Sequence, residues 1–366
     1  MQTARLNWIY YARGIAIILV TYRHVFEGMK ESGLAVGDYP FLEYANIFFY
    51  SFRMPLFFII SGIFVALSVQ KRGVKKFIDT RARSVLWPYF LWGFIQLTLQ
   101  MAFSRYTNGQ PTPGSYLNLF YLPREIAQFW YLYALFNVSV LYVFSRFVLK
   151  INPYYNLVIG LIFFYLSSIV YQQSINIWFL SDILHYYIFF AIGDCVSRFL
   201  LDKNNYRFFE SGRMLLIMIV PFLLAQSYFL WQNLRQQISK YMFVEYYQPF
   251  AFLVIALTGG LFIISLTFYL QKKNILKWLP ELGVQSLYIY VAHVIVFAGV
   301  RIVLTNFVGI QNVFIILFAC MLSGILVPLL LYKLAVKMNM RWLFTLEKLK
   351  TPVSSNASTL TQVLKS

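Results

Sequence analysis

The run Trp8-Ile9-Tyr10-Tyr11-Ala12-Arg13-Gly14-Ile15-Ala16-Ile17-Ile18-Leu19-Val20-Thr21-Tyr22-Arg23-His24-Val25-Phe26 sets Arg13 and His24 inside the first apolar segment of the chain. Their separation of eleven residues amounts to three helical turns plus roughly 20°, so on a helix they share one face, about 16 Å apart along the axis. That rise is around half of a hydrocarbon core ~30 Å thick. Ionisable groups are costly inside a membrane segment and mark function by default. Two of them on one stripe suggest a polar path into the bilayer.

The rest of the chain explains why a bilayer is the relevant solvent. Of 366 residues, 60% are hydrophobic, 20% aromatic and only 12% charged, more apolar surface than a soluble chain of this length can bury. Apolar stretches of membrane-spanning length predict about ten helices, near 8–28, 44–70, 84–104, 126–149, 154–172, 178–200, 213–231, 248–270, 282–304 and 312–334. The fold class is therefore an all-α polytopic transmembrane bundle. A net charge of +18 raises the question of nucleic acid, but the cations lie in short clusters between apolar runs. With the N-terminus inside, 22 of the 31 basic residues fall in inner loops and tails, five in outer loops and four within spans. This asymmetry predicts that both termini are cytoplasmic, and no nucleic-acid partner is expected.

Residues 1–349 read as one integral-membrane domain and 350–366, rich in Ser and Thr, as a disordered cytoplasmic tail. No cleavable signal is expected, because Arg13 interrupts the first apolar run and no small-residue cleavage site follows it. Cys195 and Cys320 both fall in apolar runs and offer neither a disulfide framework nor a metal motif, so no metal is expected.

Five ordered patterns converge on a family. They are Arg13-x10-His24; Phe52-Arg53-Met54-Pro55-Leu56-Phe57-Phe58-Ile59-Ile60-Ser61-Gly62; Arg81-Ala82-Arg83-Ser84-Val85-Leu86-Trp87-Pro88-Tyr89; Phe129-Trp130-Tyr131-Leu132-Tyr133-Ala134-Leu135; and Gly283 through Ser286-Leu287-Tyr288-Ile289-Tyr290-Val291-Ala292-His293. Together they resemble the acyltransferase type 3 family of bacterial integral-membrane O-acyltransferases, particularly its polysaccharide and fucose O-acetylase-like branch. The resemblance spans about residues 8–335. It implies an enzyme of the bacterial cytoplasmic (inner) membrane. Such an enzyme carries an acyl group, usually acetyl from cytoplasmic acetyl-CoA, to a hydroxyl of an extracytoplasmic polysaccharide or lipid-linked glycan. Members of that branch often have His where this chain has Arg53, so a second-span imidazole is not carried over.

Within that reading His24 is the expected general base or transient acyl carrier, since imidazole titrates near neutrality. Arg13, nearer the cytoplasm, offers a planar fork for a phosphate, a carbonyl oxygen or a developing oxyanion. Arg53, beside the helix-kinking Pro55, is expected to share a cavity with Arg13 and His24 and to bind donor or acyl oxygen. Arg81 and Arg83 are candidates for the phosphates of CoA, although positive-inside anchoring explains them equally well. Trp130 and Tyr131 are expected at the outer interface, as aromatic belt or sugar-stacking platform. His293 is a family position needing a partner inside the ninth span. Asp182 and His185 at i,i+3 are expected to satisfy each other, and Asp194 to pair with Arg198. Ser61 and Gly62 read as close-packing residues. The competing function is an exporter or flippase for an envelope glycan, and a related one keeps the enzyme but uses succinyl-CoA or another acyl donor.

Overall fold

The structure, a computed structural model, describes residues 6–236 and 241–347; the expected tail lies outside them. Every regular element among the described residues is helical, and a helix stands at each of the ten expected positions. They are α1 (Asn7–Glu31), α2 (Pro40–Arg72), α3 (74–102), α4 (Pro123–Val148) and α5 (Pro153–Gln172), then α6 (Leu180–Leu201), α7 (Gly212–Gln236), α8 (Pro249–Lys273), α9 (Ser286–Phe307) and α10 (Val313–Lys337). Eight of them, α2 and α4 to α10, are long and apolar enough to cross a membrane. The other two are diluted: α1 by Arg13, Arg23 and His24, and α3 by a basic opening that leaves a regular portion, Trp87–Ala102, of 16 residues.

Local chemistry sets these boundaries. Proline, which has no backbone donor to lose, opens α2, α4, α5 and α8. Asn152 and Asn312 cap α5 and α10 through their side-chain oxygens. Gly73, at φ 75°, ends α2. Helix α2 is interrupted at Phe49 and Phe64, on either side of Pro55. Three π turns, Ala82–Leu86, Phe144–Val148 and Val303–Phe307, each add a residue to a helical ladder.

Helix α1 is central. It packs against α2, α8, α9, α10 and the short helix Trp278–Val284. Helices α5, α7 and α10 are peripheral, with 28%, 17% and 28% of their apolar windows buried. Helices α2 and α6 touch backbone to backbone: a Cβ on Gly62 would overlap the Phe190 carbonyl, and one on Gly193 the Ile59 carbonyl. Gly62 is thus the packing residue its sequence context implies. Replacing it with Val should force α2 and α6 apart and cost at least ~1–3 kcal/mol. A melting temperature of the detergent-solubilised protein equal to wild type would show that these helices do not meet at Gly62.

Candidate active site

His24, half-buried on α1, and His293, fully buried on α9, face each other with ring centroids 5.3 Å apart and planes inclined by 55°. The Nδ1 atom of His293 lies 2.7 Å from the Tyr290 carbonyl oxygen and 3.2 Å from that of Ile289. Both are acceptors, so Nδ1 carries the hydrogen and Nε2 the lone pair. Nε2 is buried and has no hydrogen-bond partner among the described residues. Tyr290 is held in turn, its hydroxyl donating to the Gln128 carbonyl and its ring set 5.4 Å from Tyr131. His24 and His293 thus form one site, which no local spacing reveals, since they lie on different helices far apart in the chain.

Arg13 meets the same helix as His24 but at its opposite end, where its Nε donates to Ser286 Oγ at 3.1 Å. The shared stripe on α1 is therefore real, and α9 covers both of its polar residues. Arg53 is 1% exposed. Its Nη1 donates to the Leu19 carbonyl at 3.1 Å, and both terminal nitrogens reach Asn46. Arg53 ties α2 to α1 between Arg13 and His24, and it has no carboxylate partner among the described residues.

The π turn 82–86 puts Arg81 and Arg83 on different sides. Arg81 is half-buried, with its guanidinium 5.3 Å from the Phe77 ring. Burial lowers its pKa; Tyr131 and Glu347 pull it back up, while Arg13 and Arg72 push it further down. Arg81 thus feels the charges of both Arg13 and Arg72. Arg83 is exposed and paired with Asp79 at 2.8 Å, an i,i+4 surface pair worth at most about 1 kcal/mol. The segment after α10 closes this end: the indoles of Trp87 and Trp92 donate to the carbonyls of Trp342 and Leu343, both at 2.7 Å.

Trp130 and Tyr131 also separate. Tyr131 is 6% exposed and packs on Phe57, Phe58 and Tyr290 inside the bundle, so it is no part of an interfacial belt. Trp130 lines a crevice of about 40 Å3 with Arg23, Tyr50, Arg124, Tyr186 and Glu245. Here the expected pairing of Asp182 with His185 is replaced. Asp182 Oδ1 takes Nε and Nη2 of Arg124 at 2.8 and 2.6 Å, and His185 Nε2 stands 3.1 Å from Glu245 Oε1. The two residues are both buried on α6, but neighbouring elements reach each one first. Asp194 likewise accepts from Tyr142 at 2.8 Å and faces Arg146 at 3.6 Å, where Arg198 was expected. Burial pushes the Glu245 carboxyl up, but the contacts from His185, Tyr50 and Arg124 outweigh it and hold the group below the ordinary carboxylate range.

Arg23, Tyr50 and Glu245 were missing from the residues expected in a site. One signal was available: Arg23 is itself a cation within the first apolar run. Nothing local marks Tyr50, one of 28 tyrosines. A second cavity, an apolar groove of about 620 Å3, runs between α3, α4, α5 and α6 past Ile78, Leu141 and Leu184. Neither cavity is lined by Arg13 or His24.

An all-helical bundle with eight membrane-length helices, and with cations and paired imidazoles turned inward on its central rod, defines a multi-pass membrane protein with an intramembrane polar site. The chain belongs to the acyltransferase type 3 family: the family model for the acyltransferase domain matches residues 6–333, from the start of α1 into the last turns of α10. It is a membrane acyltransferase. Comparisons with curated proteins and with solved structures returned no match.

The Arg53 tie has a measurable consequence. Arg53→Met leaves Asn46 and the Leu19 carbonyl without their donor, at a cost of about 1–3 kcal/mol. Arg53→Lys, which keeps the charge but not the fork, should recover only part of it. Melting temperatures equal to wild type for both variants would show that the guanidinium does not hold α1.

Proposed function

We propose that the protein transfers an acetyl group from acetyl-CoA, bound at the Arg13 end of α1, to a sugar hydroxyl presented near His24. In this reading both termini are cytoplasmic, as the distribution of basic residues favours, and the membrane is the bacterial inner membrane. The observation that carries the proposal is the His24–His293 pair: two imidazoles in contact inside a helical bundle, one with its Nδ1 hydrogen committed to a carbonyl.

The chemistry follows from those groups. His24 takes the proton of the attacking hydroxyl as the sugar oxygen bonds to the acyl carbon. The carbon–sulfur bond of the thioester breaks, and the CoA thiolate leaves and is protonated. A second route makes His24 the transient acyl carrier, with the same bonds exchanged in two steps. His293 offers Nε2 alone as a base, so it can receive a proton passed on from His24 but cannot donate one in its resting tautomer. Arg13 and Arg81 supply cations for the donor phosphates. Arg53, spent on carbonyls of the protein itself, positions α1 and is not assigned to the donor. Arg83 adds only to the general positive field of the inner face. Membership of an acyltransferase family favours transfer over the exporter reading, and acetyl over larger acyl groups rests on the branch that the sequence resembles.

Two substitutions test this. His24→Ala, expressed at the wild-type level, should lower acylation by about 10²-fold or more, read as loss of an acetyl increment in mass spectra of the host glycan. Wild-type ester content in that variant would refute the assignment. His293→Asn keeps a donor for the Tyr290 carbonyl and removes the Nε2 base. It should fold normally and lose kcat while the KM for the donor is retained. An unchanged kcat would make His293 purely structural.

A further inference from the structure

The crevice around Trp130 is separate from the imidazole pair yet stands at the same height on α1, because Arg23 lines it and His24 is the next residue. Both of its arginines face carboxylates: Arg23 Nε meets Glu27 at 3.0 Å and Arg124 meets Asp182 at 2.6 Å, while a further carboxylate, Glu245, stands 3.1 Å from the His185 ring. Arg53, which lacks a carboxylate, is 5.6 Å from the Tyr50 ring and does not line the crevice. A pocket whose cations are each already facing a carboxylate has little net field to draw in an anion.

The crevice does offer donors, acceptors and flat apolar faces together. The Nη1 atom of Arg124 makes no hydrogen bond to a described residue, while its Nε and Nη2 converge on one oxygen of Asp182. Glu245 presents acceptor oxygens beside the Tyr50 hydroxyl, which donates to it at 2.8 Å. Trp130 supplies a broad ring under Arg124 at 4.5 Å and beside Tyr186 at 5.4 Å. Of the six ionisable groups in these ion pairs only Arg124 is exposed, at 37%, and keeping the other five buried or half-buried is costly for a protein that needs only to fold. Hydroxyl groups both donate and accept, and sugar rings carry apolar faces that stack on aromatics. A volume of about 40 Å3 holds one or two hydroxyls, since a water occupies roughly 30 Å3. It therefore grips an edge of a ring and does not enclose one.

We infer that the crevice formed by Arg23, Tyr50, Arg124, Trp130 and Glu245 is the acceptor site, and that it selects an uncharged sugar. This inference rests on the acyl-transfer reading above and adds the chemical class of the acceptor. The test is equilibrium binding to the full-length protein in lipid nanodiscs, with methyl hexopyranosides and methyl 6-deoxyhexopyranosides as neutral probes and methyl glucuronoside as the anionic one. Neutral probes should bind saturably and the glucuronoside at least tenfold more weakly. Trp130→Ala should weaken neutral binding at least tenfold, and Trp130→Phe less. Should Trp130→Ala fail to fold, Arg124→Lys, which keeps a cation on Asp182 and loses the fork, serves in its place with the same expected loss. Glucuronoside binding as tight as neutral binding, no saturable neutral binding, or variants that bind like wild type would each overturn the inference. His24→Ala separates the two readings, because it should bind the neutral probes normally while losing transfer. If it still transfers, the catalytic assignment falls and the binding comparison stands.

Discussion

Helix α1 cannot face lipid, and the architecture follows from that constraint. A rod carrying Arg13, Arg23 and His24 is stable in a bilayer only where other helices meet those groups, because hydrocarbon offers no partner. Helices α2, α8, α9 and α10 surround it, and each polar residue of α1 meets a specific group: Ser286 for Arg13, Glu27 and Tyr50 for Arg23, His293 for His24. Arg53 adds a fixed point by bonding a backbone carbonyl of α1 itself. Helices α5, α7 and α10, with the smallest buried shares of their apolar windows among the eight, are left to the periphery.

This arrangement divides the chemistry along one axis. Cations gather at the Arg13 end, where Arg72 and Arg81 join it and the segment after α10 closes over Trp87 and Trp92. Imidazoles and a crevice whose arginines face carboxylates occupy the His24 end. Between them lie Tyr131 and Tyr290, packed ring edge to ring face and buried. In the reading proposed above the donor is a polyanion and the acceptor a polyol, which make opposite electrostatic demands. In that reading the two demands fall about three helical turns apart on one helix.

Pairing of charges is where local reading failed, and the failures share a cause. Asp182 and His185, and likewise Asp194 and Arg198, have the spacing of helical neighbours, yet each acidic member is taken by a residue from another element: Arg124 and Arg146. An i,i+4 pair contributes only ~0.3–0.5 kcal/mol. A buried carboxylate left without a close partner costs several kcal/mol, so the tertiary partner that excludes water wins. The exposed exceptions agree with this: Arg83–Asp79 and Arg23–Glu27, the first at the surface and the second half-exposed, are i,i+4 pairs that did form. The π turn after Arg81 had the same kind of effect on a basic cluster that looked uniform in one dimension, half-burying one arginine beside Phe77 and exposing the other.

Periodicity, apolar run length and the positions of proline and glycine determined the all-α class, the ten helices and the inward stripe of Arg13 and His24, because those properties are set within a few turns of chain. The close-packing role of Gly62 was legible too, since a missing side chain in a membrane segment has few other uses. What the tertiary structure alone decided is which groups meet: His24 with His293, Arg53 with Leu19 and Asn46, and Trp130 with a crevice lined by Arg23, Tyr50 and Glu245. Apart from Asn46, seven positions from Arg53, those contacts join residues tens to hundreds of positions apart, and their partners are chosen by the free energy of excluding water from buried polar atoms. That quantity exists only once the helices have been brought together.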